Sequence, residues 1–194
     1  MSRAWSHAGG SVFIGGRSGG NGDQVANEIN ATFHELDVAD KASIDPFFAA
    51  AKNHFGDQNV DFIILNAGAS TEEAVYPASV HGVILGLQHG MDLLRQNGTF
   101  VISSNPASKA AVDSLMCSYT AQFAESRDER VKSFSVVAID PTHYQTVPGD
   151  RWLDGFLYSL LRDRQGIEHE PTHKPKLGWT SLATGQLSVE SRMN

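Results

Sequence analysis

Ser11-Val12-Phe13-Ile14-Gly15-Gly16-Arg17-Ser18-Gly19-Gly20-Asn21-Gly22 is a short apolar run that breaks into glycines. The residues that follow, Asn21–Asn30, place Val25, Ala26 and Ile29 on one side of a brief predicted helix. A strand that turns through glycines into a helix can bring backbone N–H groups close to a phosphate at the helix N-terminus. Gly15, Arg17, Ser18, Gly19 and Gly20 are the candidate contacts in that turn. Arg17 is where a preference for a phosphorylated ribose would arise. A plain flexible loop would have the same composition, so the weight of the reading rests on the segments around it.

Moving outward, strand and helix patterns alternate, which predicts a parallel sheet covered on both faces. Ala31–Val38 reads as a strand, closed by the polar turn Leu36-Asp37-Val38-Ala39-Asp40. A helix runs from there to about Phe55, with Ser43 or Asp45 as its cap and Pro46 near its start. Val60–Leu65 is nearly all apolar, as a central strand should be. Ser79–Arg95 repeats Val80, Val83, Leu87, Met91 and Leu94 at helical spacing, with Asn97-Gly98 as its stop. Thr99–Ile102 is the next strand. Ser108–Glu125 is a helix with the stripe Val112, Leu115, Met116, Tyr119 and Phe123, and Ser133–Ile139 is a strand ending at Pro141. Beyond it, Trp152–Leu161 reads as an amphipathic helix and Gln186–Val189 as a final strand. The prediction is one doubly wound α/β domain of Rossmann type over 11–194, with 1–10 as a loose lead-in.

Composition bounds the function classes. The 194 residues suffice to bury a substantial core, and 41% hydrophobic with 19% charged residues is ordinary for a globular protein. A formal charge of −7 argues against nucleic-acid binding. Cys117 is the single cysteine, which excludes an internal disulfide; it reads as a small buried side chain on its helix. No apolar run reaches the length of a membrane span and the first ten residues lack a secretory pattern, so a cytoplasmic protein is expected. His81 and His89 have no third ligand in view, and no metal site is expected.

Read in order, several segments carry a resemblance. Leu65-Asn66-Ala67-Gly68, Leu36-Asp37-Val38, Val101-Ile102-Ser103-Ser104, Ala107-Ser108-Lys109-Ala110-Ala111-Val112, Val137-Ala138-Ile139-Asp140-Pro141 with Thr146, and Thr184-Gly185-Gln186-Leu187-Ser188-Val189 resemble successive segments of the short-chain dehydrogenases/reductases. The resemblance implies a bound NADP or NAD. It implies that Asp37 meets the adenine, Asn66 supports the cofactor and Lys109 binds the nicotinamide ribose. Thr146 would contact the carboxamide, and Ser104 would hydrogen-bond a substrate carbonyl. The implied activity is NAD(P)-dependent oxidation or reduction of an alcohol or carbonyl on a small molecule. A homodimer or homotetramer would form through the helices Ser79–Arg95 and Ser108–Glu125.

The chain also departs from that pattern. Where the family carries its catalytic tyrosine, four residues before the lysine, this chain has Asn105, an amide that does not titrate usefully. The family's relay asparagine aligns with Ser79. The last glycine of the turn aligns with Asn21, and Gly22 follows one residue late. Between Gly15 and Asp37 there is too little chain for the family's intervening strand–helix unit. Either one strand is absent, or Ala31–Val38 takes the place beside the first strand. In the second case Glu35 or Asp37 becomes the acid that binds ribose hydroxyls. His143 and Tyr144 are alternative proton donors, with surface positions as their plainer reading. The second functional reading is a redox-silent relative, acting as a dehydratase, a cyclase or a binding subunit.

Overall fold

The structure, a computed structural model, describes residues 6, 9–17, 21–67, 76–103, 109–139, 181–184 and 186–187, without the side chains at 109, 139, 181–184 and 186–187. The described residues fall into two compact units, one ending at Glu35 and one beginning at Leu36.

In the first unit, β1 (Phe13–Gly16) pairs in parallel with β2 (Thr32–Glu35), and α1 (Gly22–Glu28) connects them. The register sets Phe13 opposite Thr32 and Gly16 opposite Glu35. The second strand therefore lies directly beside the first. α1 is shorter than the predicted Asn21–Asn30 because Asn30 takes a left-handed backbone, φ 52°, which ends the helix. Ala26 and Ile29 are buried, as their spacing predicts. Gly22 is where α1 meets β2. A Cβ there would overlap the Phe33 ring, with Cδ2 at 2.6 Å and Cζ at 2.9 Å. Ser6 is tied here as well, its hydroxyl donating to Ile29 O at 2.7 Å.

The second unit opens with α2 (Lys41–Phe55). Its cap is Asp40, not Ser43 or Asp45: Asp40 has extended backbone and its Oδ1 accepts from the Ala42 N–H at 2.9 Å. β3 (Val60–Leu65), β4 (Leu94–Ser103) and β5 (Ser135–Ile139) are parallel neighbours in that order. The register aligns Ile63, Phe100 and Val136 in one row, and Leu65, Ile102 and Ala138 in the next. These rows share a core cluster with Val83 and Leu87 of α3 (Gly82–Gly90) and with Val112, Met116, Tyr119 and Phe123 of α4 (Lys109–Ala124). The intervening row is Ile64, Val101 and Val137, and its Val101 and Val137 are also buried. A central parallel strand is expected to be covered on both faces in this way.

Two predicted elements are corrected. The helix over Ser79–Arg95 is a π-helical turn, Tyr76–His81, followed by α3, which ends at Gly90. Leu94 begins β4 instead of closing the helical stripe, and Asn97-Gly98 sits inside an irregularity where Val60 faces Leu94 but Phe62 faces Thr99. Asn97 takes φ 61°, the conformation that this dipeptide favours in a bulge as readily as at a helix end. Arg130 of α5 (Glu129–Lys132) supports the early stop, donating from Nη1 to Met91 O at 2.7 Å and to Leu94 O at 2.8 Å. The second correction is at the sheet edge. β6 (Ser181–Thr184) runs antiparallel to β5, and β7 (Gln186–Leu187) antiparallel to β6, so the final strand predicted from Gln186 is present but the edge of the predicted parallel sheet is antiparallel. The predicted helix over 152–161 lies outside the described residues.

α3 lies close to its neighbours because Gly82, Gly86 and Gly90 recur every four residues along one face. Built Cβ atoms would come within 3.0 Å of Val38 at Gly82, 2.5 Å of Leu65 at Gly86, and 2.7 Å of Ile63 at Gly90. The predicted stripe of Val80, Val83 and Leu87 is buried too, but these glycines set the approach to the sheet.

Tyr119 packs in the core, and burial pushes its phenol pKa up from 10.0, against a side-chain hydrogen bond with Gln88 that lowers it. The folded state thus keeps the proton where the unfolded chain loses it. Its stabilising share is fully present below pH 10 and is lost as pH rises through the folded value. Tyr119→Phe should therefore lose less stability than the wild type between about pH 9 and about pH 11 in urea unfolding. Equal losses in the two proteins would contradict this.

Candidate functional site

In the first unit, Gly15 and Arg17 are exposed at the end of β1, while Ser18, Gly19 and Gly20 lie outside the described residues. The strand pairing puts Glu35, also exposed, level with Gly16. That is the position from which a carboxylate reaches ribose hydroxyls beside a glycine turn. Asn21, ahead of α1, makes no side-chain cap bond, and Asp23 occupies the first turn. Gly22 does the close-packing work that the sequence reading assigns to no residue. Its signal was a glycine facing an aromatic across one βα step, which is invisible until the register is known.

In the second unit, Asp37 is half-buried in a turn, and its Oδ1 accepts from the Ala39 N–H at 2.9 Å. Asn66 is exposed directly after β3. Leu65 faces Ile102, so Asn66 follows at the level of Ser103 on the neighbouring strand, and Ser103 in turn faces Ile139. The carboxyl ends of three parallel strands therefore share one edge, the edge where open α/β sheets bind ligands. Lys109 is the first residue of α4. Its side chain lies outside the described residues, as do Ser104, Asn105, His143, Tyr144 and Thr146. Gly15 and Arg17 belong to one unit and Asp37, Asn66 and Lys109 to the other.

Ser79, where the resemblance places a relay asparagine, is buried within the π-helical turn. Among the described residues no group of three or more His, Cys, Asp or Glu could hold a metal ion. His89 instead stacks on Phe48, with ring centroids 5.4 Å apart, and its Nδ1 lies 3.5 Å from Asp45. Cys117 is exposed, against the sequence reading. It follows Met116 by one residue, so it is turned about a quarter of a revolution off the buried stripe. No helix among the described residues is long and apolar enough to cross a membrane.

No protein-family model matches the chain, and no curated protein matches its sequence. Solved structures do match. An alcohol dehydrogenase from the archaeon Thermococcus sibiricus, complexed with 5-hydroxy-NADP, is similar with a TM-score of 0.58 at 18% identity, over 71% of this chain and 68% of that one. An NADPH-dependent 3-quinuclidinone reductase from Rhodotorula rubra gives 0.52 at 19% identity, over 62% and 57%. A short chain dehydrogenase/reductase family protein gives 0.52 at 24% identity, over 63% and 62%. The chain spans less than two thirds of the length of the latter two. What it shares with all three is the Rossmann-type α/β fold.

Proposed function

We propose that the chain binds a nicotinamide dinucleotide and serves as an NAD(P)-dependent oxidoreductase acting on a carbonyl or alcohol of a small molecule. The observation that carries the proposal is the pairing of β1 with β2, which sets an exposed carboxylate, Glu35, level with Gly16 where the glycine turn begins. The residues fit the group: Gly22 admits α1 to β2 only because it lacks a side chain, and the α1 N-terminus makes no side-chain cap bond. The backbone of Gly15, Gly19 and Gly20, with Arg17 and Ser18, holds the pyrophosphate in this reading. Asp37 serves the adenine end, Asn66 and Thr146 the nicotinamide end, and Lys109 the ribose next to it. Ser104 orients the substrate oxygen. The dinucleotide, when bound, supplies the hydride.

Asn105 cannot donate the proton that a phenol would. A missing positioned acid lowers turnover by roughly 10²–10⁴-fold, so slow hydride transfer is expected. The same residue favours a second reading, in which the pocket serves a non-redox reaction or a binding subunit. Turnover that disappears in Ser104→Ala would speak for the enzyme, and indifference to it for the subunit.

Calorimetric titration with NADH and NADPH is the direct test. In this reading Glu35 binds the ribose hydroxyls, where a 2′-phosphate would meet a like charge, so NADH should bind more tightly than NADPH. Glu35→Gln should shift the ratio toward NADPH by about tenfold, equivalent to about 1.4 kcal/mol. Absence of saturable binding at millimolar concentrations would refute the proposal. An unchanged ratio in Glu35→Gln would refute the role of Glu35 alone.

A further inference from the structure

The Asp37–Val38 turn is held from two sides by residues that no role above requires. On α2, the Ser43 hydroxyl accepts from the Asp37 N–H at 2.9 Å and donates back to Asp37 O at 2.7 Å, with Asp40 O at 3.1 Å. One side chain thereby pins both backbone polar groups of Asp37. The carboxylate is fixed in turn by the Ala39 N–H. On the other side stands Gly82, the first residue of α3. A Cβ there would lie 3.0 Å from Val38 Cβ, 3.1 Å from Cγ2 and 3.4 Å from the Val38 carbonyl oxygen. These are contacts that force a shift of a few tenths of an ångström without breaking the fold. One turn further along the same face, Gly86 seats Leu65, the residue before Asn66.

We infer that Ser43 and Gly82 are positioning residues for the adenine end of a bound nucleotide: they set the Asp37–Val38 turn without touching the ligand. The inference rests on the proposed dinucleotide binding. Recognition of an adenine ring by one carboxylate and adjacent backbone groups depends on their placement, because hydrogen bonds weaken steeply with misalignment. A turn pinned at both polar groups of Asp37 and seated at Val38 offers that placement before the ligand arrives.

The experiment titrates 5′-AMP and NADH, separately, into the full chain. In Ser43→Ala and in Gly82→Ala both ligands should bind about fivefold more weakly, in equal proportion, since only the shared adenine end is displaced. Ser43→Thr, which keeps the hydroxyl, should restore binding. Gly90→Ala, on the same helix face but far from the turn, should lower thermal stability while its folded form binds both ligands as the wild type does. Wild-type affinity in Ser43→Ala and Gly82→Ala would overturn the positioning inference and leave dinucleotide binding standing. Equal weakening in Gly90→Ala would also overturn it, by showing a general effect of stability. A wild type that binds neither ligand would overturn both readings together.

Discussion

Gly90→Ala should destabilise the protein by about 2 kcal/mol in urea unfolding, although glycine-to-alanine in an exposed helix normally stabilises by about 1 kcal/mol. The sign is reversed by packing. A Cβ at this position would lie 2.7 Å from Ile63 Cδ1 and 2.8 Å from Phe100 Cε1. Phe100 is fully buried and cannot swing aside, because Phe123 stacks on it at 6.1 Å and Phe134 meets it edge-on at 6.3 Å. The helix would have to lift from the sheet, breaking contacts along the cluster that joins α3, α4 and the strands. At Gly86 the obstacle is the branched end of Leu65 alone, which can change rotamer, so Gly86→Ala should cost less. At Gly82 the misfit is a few tenths of an ångström and the cost should be smaller again. The expected order of damage is Gly90, then Gly86, then Gly82. A Gly90→Ala variant more stable than the wild type would show that α3 does not sit as close as described.

Lys109→Ala should weaken NADH binding by about 30-fold, roughly 2 kcal/mol for a charged hydrogen-bonding group, and leave folding stability unchanged or slightly raised. The argument starts from the helix. Val112, Met116, Tyr119 and Phe123 bury one face of α4, which fixes its first turn in place. Lys109 stands at the N-terminal end, the positive end of the helix dipole, where a cation is unfavourable, and no acidic residue occupies the first turn to offset it. A lysine kept for helix stability would belong at the other end. Removing it should therefore relieve the helix while depriving the ligand of the ribose contact proposed for this lysine. Parallel titration and thermal melting separate the two effects. A variant that loses stability and retains NADH affinity would make Lys109 a structural residue and remove it from the site.

Several features of the fold could be read directly from local pattern. Val60–Leu65 and Ser135–Ile139 are strands because short apolar runs have only a covered sheet to enter, and α4 follows the Val112–Met116–Tyr119–Phe123 spacing. The order of strand, helix and strand in 11–38 was equally legible. α3 misled the reading because Leu94 continues a helical spacing by coincidence. The true end at Gly90 is supported by Arg130, some 40 residues away in sequence, which takes two backbone carbonyls of the turn. No local pattern records a bond over that separation. The candidate site divides the same way. Asn66, Lys109 and the glycines could be named as candidates by type and order, whereas the placing of Glu35 level with Gly16 required the strand register.

The sequence by itself determined segments such as β3, β5 and α4 and which residue types stand at the strand ends, because periodicity and turn chemistry are properties of neighbouring residues. Only the tertiary structure decided which strand lies beside β1, how closely α3 approaches the sheet at its three glycines, and what holds the Asp37–Val38 turn. Those outcomes depend on contacts between residues far apart in the chain, where the fit of one surface against another settles what no local preference can.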